Sequence, residues 1–153
     1  MTKEETKSRI KLLFFDDDPI TVKSLTLNLN KMGWSVKYVI DIDTLFYELS
    51  LNHYDILILD LVAPIPVIEE CKYVNFEESD IDEMGDDGTL TGVVLAKKIW
   101  AIDEYKEIPV LFHSARCSPI PGDNELQNGK CSFIRKPEFA IGIDKKLREM
   151  LNI

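Results

Sequence analysis

Residues 10–19 read IKLLFFDDDP: a short apolar run, three consecutive carboxylates and a proline. An apolar run of this length that stops at acids is the pattern of a strand buried on both faces. Asp18 followed by Pro19 is the pattern of a helix start, N-cap then first turn. Val22, Leu25, Leu29 and Met32 then recur at helical spacing until Gly33 ends the run. Strand and helix therefore meet at the three acids. Like charges this close raise one another's pKa and work against folding, so something must hold them together.

The same alternation continues outward. WSVKYVI (34–40) predicts a strand, and DIDTLFYELSLN (41–52) a helix with Asp43 as its N-cap and Leu45, Phe46 and Leu49 on one face. YDILILD (54–60) is a second apolar run that ends at an aspartate. GVVLAKKIWAI (92–102) predicts a helix, IPVLFHS (108–114) a buried strand, CSFIRK (131–136) another strand and EFAIGIDKKLREMLNI (138–153) a final amphipathic helix. Strand alternating with helix, with room for one more helix between the strands that end at Ser114 and begin at Cys131, predicts an α/β protein. Its core is a (βα)5 doubly wound, flavodoxin-like parallel sheet of five strands. No internal repeat interrupts it.

A chain of 153 residues with 45% apolar content suits one globular domain spanning 1–153. No apolar run approaches the roughly 20 residues of a membrane span, and the polar start MTKEETKSRIK has no exporting h-region, so the expectation is a cytoplasmic protein without a membrane partner. Cys71, Cys117 and Cys131 lack metal-site or redox spacing and are expected to be reduced, buried thiols. The net charge of −9 argues against direct binding to a nucleic-acid backbone. Between Pro64 and Gly92 nine acids face one base, Lys72, which accounts for eight of those nine charges. This segment, about 65–90, reads as an acidic insertion after the third strand and is expected to be a mobile, solvated loop. The alternative is a lid or docking surface, since IPVIEECKYVNF holds enough apolar residues for partial packing. An EF-hand is not expected, because reading from Asp80 its closing Glu does not fall in place.

In open parallel sheets ligands sit beyond the carboxyl ends of the strands. The polar residues that close the predicted strands all fall there: Asp16 and Asp17, Asp60, Ser114 and Lys136. Three acids, a hydroxyl and an ammonium are thus expected to converge. Oxygen ligands without His or Cys favour a hard cation, and Mg²⁺ held by carboxylates and water is the common solution.

FFDDDP, LILDLVAP, IPVLFHSA and FIRKPEF, in that order and at those strand ends, resemble the receiver domain of two-component response regulators. The resemblance covers the chain apart from the acidic insertion, with GVVLAKKI similar to the family's third helix. It implies that Asp60 is the phosphoacceptor, attacking a phosphohistidine on a sensor histidine kinase or histidine phosphotransfer protein. It also implies that Asp16, Asp17, Asp60 and the backbone carbonyl of Val62 hold Mg²⁺. Lys136 would then pair with a phosphoryl oxygen, Ser114 would hydrogen-bond another, and Phe133 would be the switch aromatic. The Lys136–Pro137 bond is expected to be cis. With no residues left for an output domain after the last helix, the expectation is a stand-alone regulator acting on a downstream protein target.

Other features are read more plainly. Asp18 is a cap rather than a metal ligand, Asp55 a surface acid, and His53 exposed. Strand alternation next to Ser114 is expected to point His113 away from the site, as a buried neutral histidine. Val62 stands where many receivers carry a polar side chain that orients attacking water, which predicts slow loss of the phosphoryl group; Arg116 lies two residues after Ser114. Pro119 and Pro121 fall where the family's fourth helix begins, so that helix should be short or start near Asp123. Two rival functions remain. A haloacid dehalogenase-like phosphatase would use Asp16, Asp18, Ser114 and a lysine, but the paired acids GDDG (85–88) precede Ser114 and Lys136, and Asp60 would have no role. A receiver kept only as a binding module usually loses an acid or the lysine, and all are present here.

Overall fold

In the computed structural model, which describes residues 9–115 and 130–153, the first apolar run forms β1 (Lys11–Phe15) and the capped segment behind it α1 (Pro19–Lys31). The chain continues through β2 (Ser35–Val39), α2 (Ile42–Leu51), β3 (Ile56–Asp60), α3 (Glu78–Glu83), α4 (Thr91–Trp100), β4 (Val110–Ser114), β5 (Cys131–Arg135) and α5 (Ala140–Leu151). The five strands pair in parallel in the order β2-β1-β3-β4-β5. This is the doubly wound, flavodoxin-like order, with its switch point between β1 and β3.

Alternation along the strands divides the core in two. Leu12, Phe14, Ile56, Ile58 and Leu111 pack against Val22, Leu25 and Leu29 of α1 and Ile143 and Leu147 of α5. Leu13, Phe15, Leu57, Leu59 and Phe112 pack on the other face against Leu45 and Phe46 of α2 and Val94 and Ile99 of α4. The central strands β3 and β4 are buried at every position, whereas β2 at the edge is half open. Helices on both faces exclude water from the inner strands β1, β3 and β4, so their polar side chains fall toward the strand ends.

The caps explain where helices begin and end. The Asp18 carboxylate accepts from Ile20 N and the Thr21 hydroxyl, as its position predicts. Gly33, at φ +107°, reverses the chain after α1 in a conformation that side chains resist. For α2 the cap is Asp41, not Asp43: both Thr44 N and its hydroxyl donate to Asp41, at 2.8 and 2.9 Å. Asp43 lies within the first turn, and its carboxylate accepts from Lys72 N and Tyr73 N at 2.8 and 2.9 Å, which ties the acidic insertion to α2.

That insertion is the main correction to the sequence reading. It is not a bare solvated loop but carries α3 and two short 3₁₀ turns, Ile68–Glu70 and Asp86–Gly88. Phe76 and Met84 are buried in the core, and Lys97 and Lys98 of α4 pair with Glu83 and Asp80 of α3 at 2.6 and 2.8 Å. Phe76 and Met84, with Ile68, Val74 and Ile81 packed partly buried against the same core, anchor the segment although its composition is polar. Cys71 and Cys131 are half-buried rather than buried. Arg116, Cys117, Pro119, Pro121 and the expected helix start at Asp123 lie outside the described residues.

Candidate functional site

β1 and β3 are neighbours with Phe15 beside Leu59, so the next residues, Asp16 and Asp60, emerge side by side at the carboxyl edge of the sheet. Asp16 is fully buried and Asp60 is 5% exposed. Asp17 follows on the exposed turn into α1, and one carboxylate oxygen from each of the three lies within 4.8 Å of the others. The turn itself orients the acids: Asp18 N donates to Asp16 Oδ1 at 2.9 Å, and Val62 N to Asp60 Oδ1 at 3.3 Å.

Lys136, just past the end of β5, reaches into this group. Its Nζ lies 2.8 Å from Asp16 Oδ2 and 3.3 Å from Asp60 Oδ2. The Lys136–Pro137 bond is cis, and Lys136 N donates to the Ser114 carbonyl at 2.7 Å, joining the ends of β4 and β5. Burial, then repulsion from Asp16, push the Asp60 carboxyl up to about 7, with Lys136 pulling the other way. Burial also works against the Lys136 ammonium, but the two carboxylates outweigh it and hold its pKa above the ordinary value. One lysine against three acids leaves the cluster short of positive charge. Asp16 Oδ2 is buried, meets Lys136 as a charge contact, and accepts no aligned hydrogen bond. An all-oxygen donor set with an open, buried lone pair fits a hard divalent cation.

The other expected site residues fall as follows. Val62 is 37% exposed and lies at the mouth, lining a cavity with Asp17. Ser114 is buried at the end of β4, and strand alternation places it with Phe112 on the α2/α4 face. Phe133 shares that face, its ring stacked on Phe112 at 5.1 Å. His113 is buried and neutral, as expected, with burial pushing it down to about 4. Its direction differs from expectation: its ring packs edge-on to Phe14, so it lies on the α1/α5 face that Asp16 and Asp60 continue. Asp18 spends both carboxylate oxygens on capping α1 and is exposed. Thr91, Gly88 and Gly92, which press on the turn after Asp60, were not singled out as site residues from the sequence. The signal available was two glycines bracketing the insertion's return to a helix.

The sequence matches no protein-family model and no curated protein. Solved structures do match. A Vibrio cholerae chemotaxis protein, 20% identical, superposes with a TM-score of 0.68 over 94% of this chain and 99% of its own. The chain has the receiver-domain fold. A response-regulator receiver domain from Methylobacillus flagellatus gives a TM-score of 0.67 at 17% identity, over 94% of this chain and 99% of its own. The receiver domain of a sensor histidine kinase from Pseudomonas aeruginosa, solved with magnesium coordinated in its active-site cleft, gives 0.66 at 18% identity, over 95% of this chain and all of its own. Among the described residues of this receiver fold, no helix is long and apolar enough to cross a membrane.

Proposed function

We propose that the protein is a response-regulator receiver, built as one domain, that takes a phosphoryl group onto Asp60. The donor is a phosphohistidine of a sensor histidine kinase or histidine phosphotransfer protein, and the signal passes by docking to a downstream protein target. The observation that carries this reading is the convergence of Asp16, Asp17 and Asp60 within 4.8 Å, with Lys136 Nζ between the two buried acids.

An Asp60 oxygen attacks phosphorus, the P–N bond breaks, and its electron pair leaves with the imidazole. The attacking group must be ionised, and Lys136 favours that form against the push of burial. Asp16, Asp17, Asp60 and the Val62 carbonyl would hold Mg²⁺, which when bound would neutralise charge on the phosphoryl oxygens. Lys136 pairs with one phosphoryl oxygen and the Ser114 hydroxyl bonds a second. Drawing Ser114 toward the phosphoryl group frees space on the face where Phe133 stacks, which makes Phe133 the switch aromatic. Receivers are signalling proteins rather than turnover enzymes, and the phosphatase alternative loses support because Asp18 is committed to its cap.

The test is incubation with Mg²⁺ and acetyl phosphate followed by intact mass. Wild type gains one phosphoryl group, Asp60→Asn gains none, and chelation of the metal abolishes the adduct. Phosphate release without an adduct points instead to the phosphatase, and an adduct that survives Asp60→Asn moves the acceptor elsewhere.

A further inference from the structure

The turn Leu61–Ala63 carries the Val62 carbonyl, and the returning end of the acidic insertion, GTLTG (88–92), grips it from both sides. Gly92 N donates to the Leu61 carbonyl at 2.8 Å, Ala63 N donates to the Gly88 carbonyl at 3.3 Å, and the Thr91 hydroxyl donates to the Ala63 carbonyl at 2.8 Å. Thr91 is fully buried. Backbone lies against backbone here: a Cβ at Gly88 would collide with the Ala63 carbonyl oxygen, and one at Gly92 with the Asp60 carbonyl oxygen and Leu61 Cα. Gly88 also holds φ +74°, a conformation that side chains rarely adopt. The clasp is anchored below by Leu90 N, which donates to the carbonyl of the buried Met84 at 2.7 Å.

We infer that this clasp positions the Val62 carbonyl for the metal, with Thr91 as the positioning residue, so that the acidic insertion is part of the metal site's support. The inference rests on the magnesium reading above. The residues on either side of Val62 are bonded to segment 88–92, while Val62 N is bonded to Asp60 Oδ1, so the turn has little freedom to shift its remaining carbonyl. Mg²⁺ demands near-octahedral geometry, whereas Ca²⁺ accepts varied ligand positions, so a loosened carbonyl weakens Mg²⁺ selectively.

The experiment titrates Mg²⁺ and Ca²⁺ separately into wild type, Thr91→Val and Thr91→Ser by calorimetry, with circular dichroism to establish that each is folded. Thr91→Val keeps the shape and removes the hydroxyl; its Mg²⁺ affinity falls about tenfold, in the range of outer-shell losses, while its Ca²⁺ affinity falls by less than about threefold. Thr91→Ser returns the Mg²⁺ affinity to within about threefold of wild type, since the donor is restored. Wild-type Mg²⁺ affinity in Thr91→Val overturns the inference. So does an equal loss of both metals in both variants, which marks a structural residue only. A wild type that takes up no Mg²⁺ at millimolar concentration instead removes the magnesium reading on which the inference rests.

Discussion

The molecule holds two dense groups of acids that look alike in the sequence and behave differently in the fold. At the strand ends, Asp16, Asp17 and Asp60 crowd within 4.8 Å, two of them buried, with Lys136 between. In the insertion, Asp80 and Glu83 lie along a short helix, each beside its own lysine from α4. Water and separate counterions disperse the second group's charge, whereas burial concentrates the first's. Acid density alone therefore does not mark a site. Density combined with desolvation does, and its cost to the fold is a measurable signature.

The largest expected effect tests that cost. Asp60 has its folded pKa raised from the ordinary 3.8 to about 7. A raised carboxyl contributes stability that is present below the unfolded value and lost as pH rises through the folded one. Metal-free protein should therefore lose stability between about pH 4 and pH 7 by an amount on the order of 4 kcal/mol at most. Urea midpoints at pH 5 and pH 8 measure the fall. Asp60→Asn flattens it, and saturating Mg²⁺ suppresses it in wild type. A wild type and an Asp60→Asn variant with the same pH dependence would erase the distinction between the two acidic groups.

Next in size is the insertion's apolar anchor. Met84 is fully buried in the α2/α4 core. Met84→Ala should cost about 3 kcal/mol, read as a lower urea midpoint at unchanged slope. A loss below about 1 kcal/mol would mean that the insertion does not depend on this contact, and it would return to the solvated loop its composition suggests.

Why one group was legible and the other not follows from what each depends on. Asp16, Asp60 and Lys136 follow from strand periodicity and the rule that parallel sheets gather polar groups at their carboxyl edge. Phe76 and Met84 have no periodic partners in sequence, so nothing local distinguishes their burial from exposure. The Thr91 clasp depends on which backbone the chain meets on its return, a tertiary fact. Asp41 and Asp43 both fit a cap, and the Thr44 hydrogen bonds decide between them only in three dimensions. Sequence alternation puts His113 on the far side only if Ser114 faces the acids directly, whereas Ser114 closes the opposite face.

A smaller effect sharpens the chemistry of the buried group. Val62 is 37% exposed at the mouth and has no group to orient water there. Val62→Asn supplies an amide at that point. It should shorten the lifetime of the phosphoryl adduct about tenfold, near 1.4 kcal/mol of barrier, read from the decay of the intact-mass peak. An unchanged lifetime would detach Val62 from the stability of the adduct.

The smallest expected effect lies in the insertion's own charges. Glu83 meets Lys97 at 2.6 Å, but the Glu83 side chain is 46% exposed, so solvent screens much of the attraction and both side chains lose freedom in forming it. In a double-mutant cycle, Glu83→Gln with Lys97→Met should give a coupling within about 0.5 kcal/mol, shrinking further in high salt. Apolar burial then holds this segment while its acids are merely tolerated by solvent. A coupling well above about 1 kcal/mol would show the insertion relying on paired charge as the strand-end cluster does, and the contrast would then lie in the counterion, a resident lysine for one and an added cation for the other.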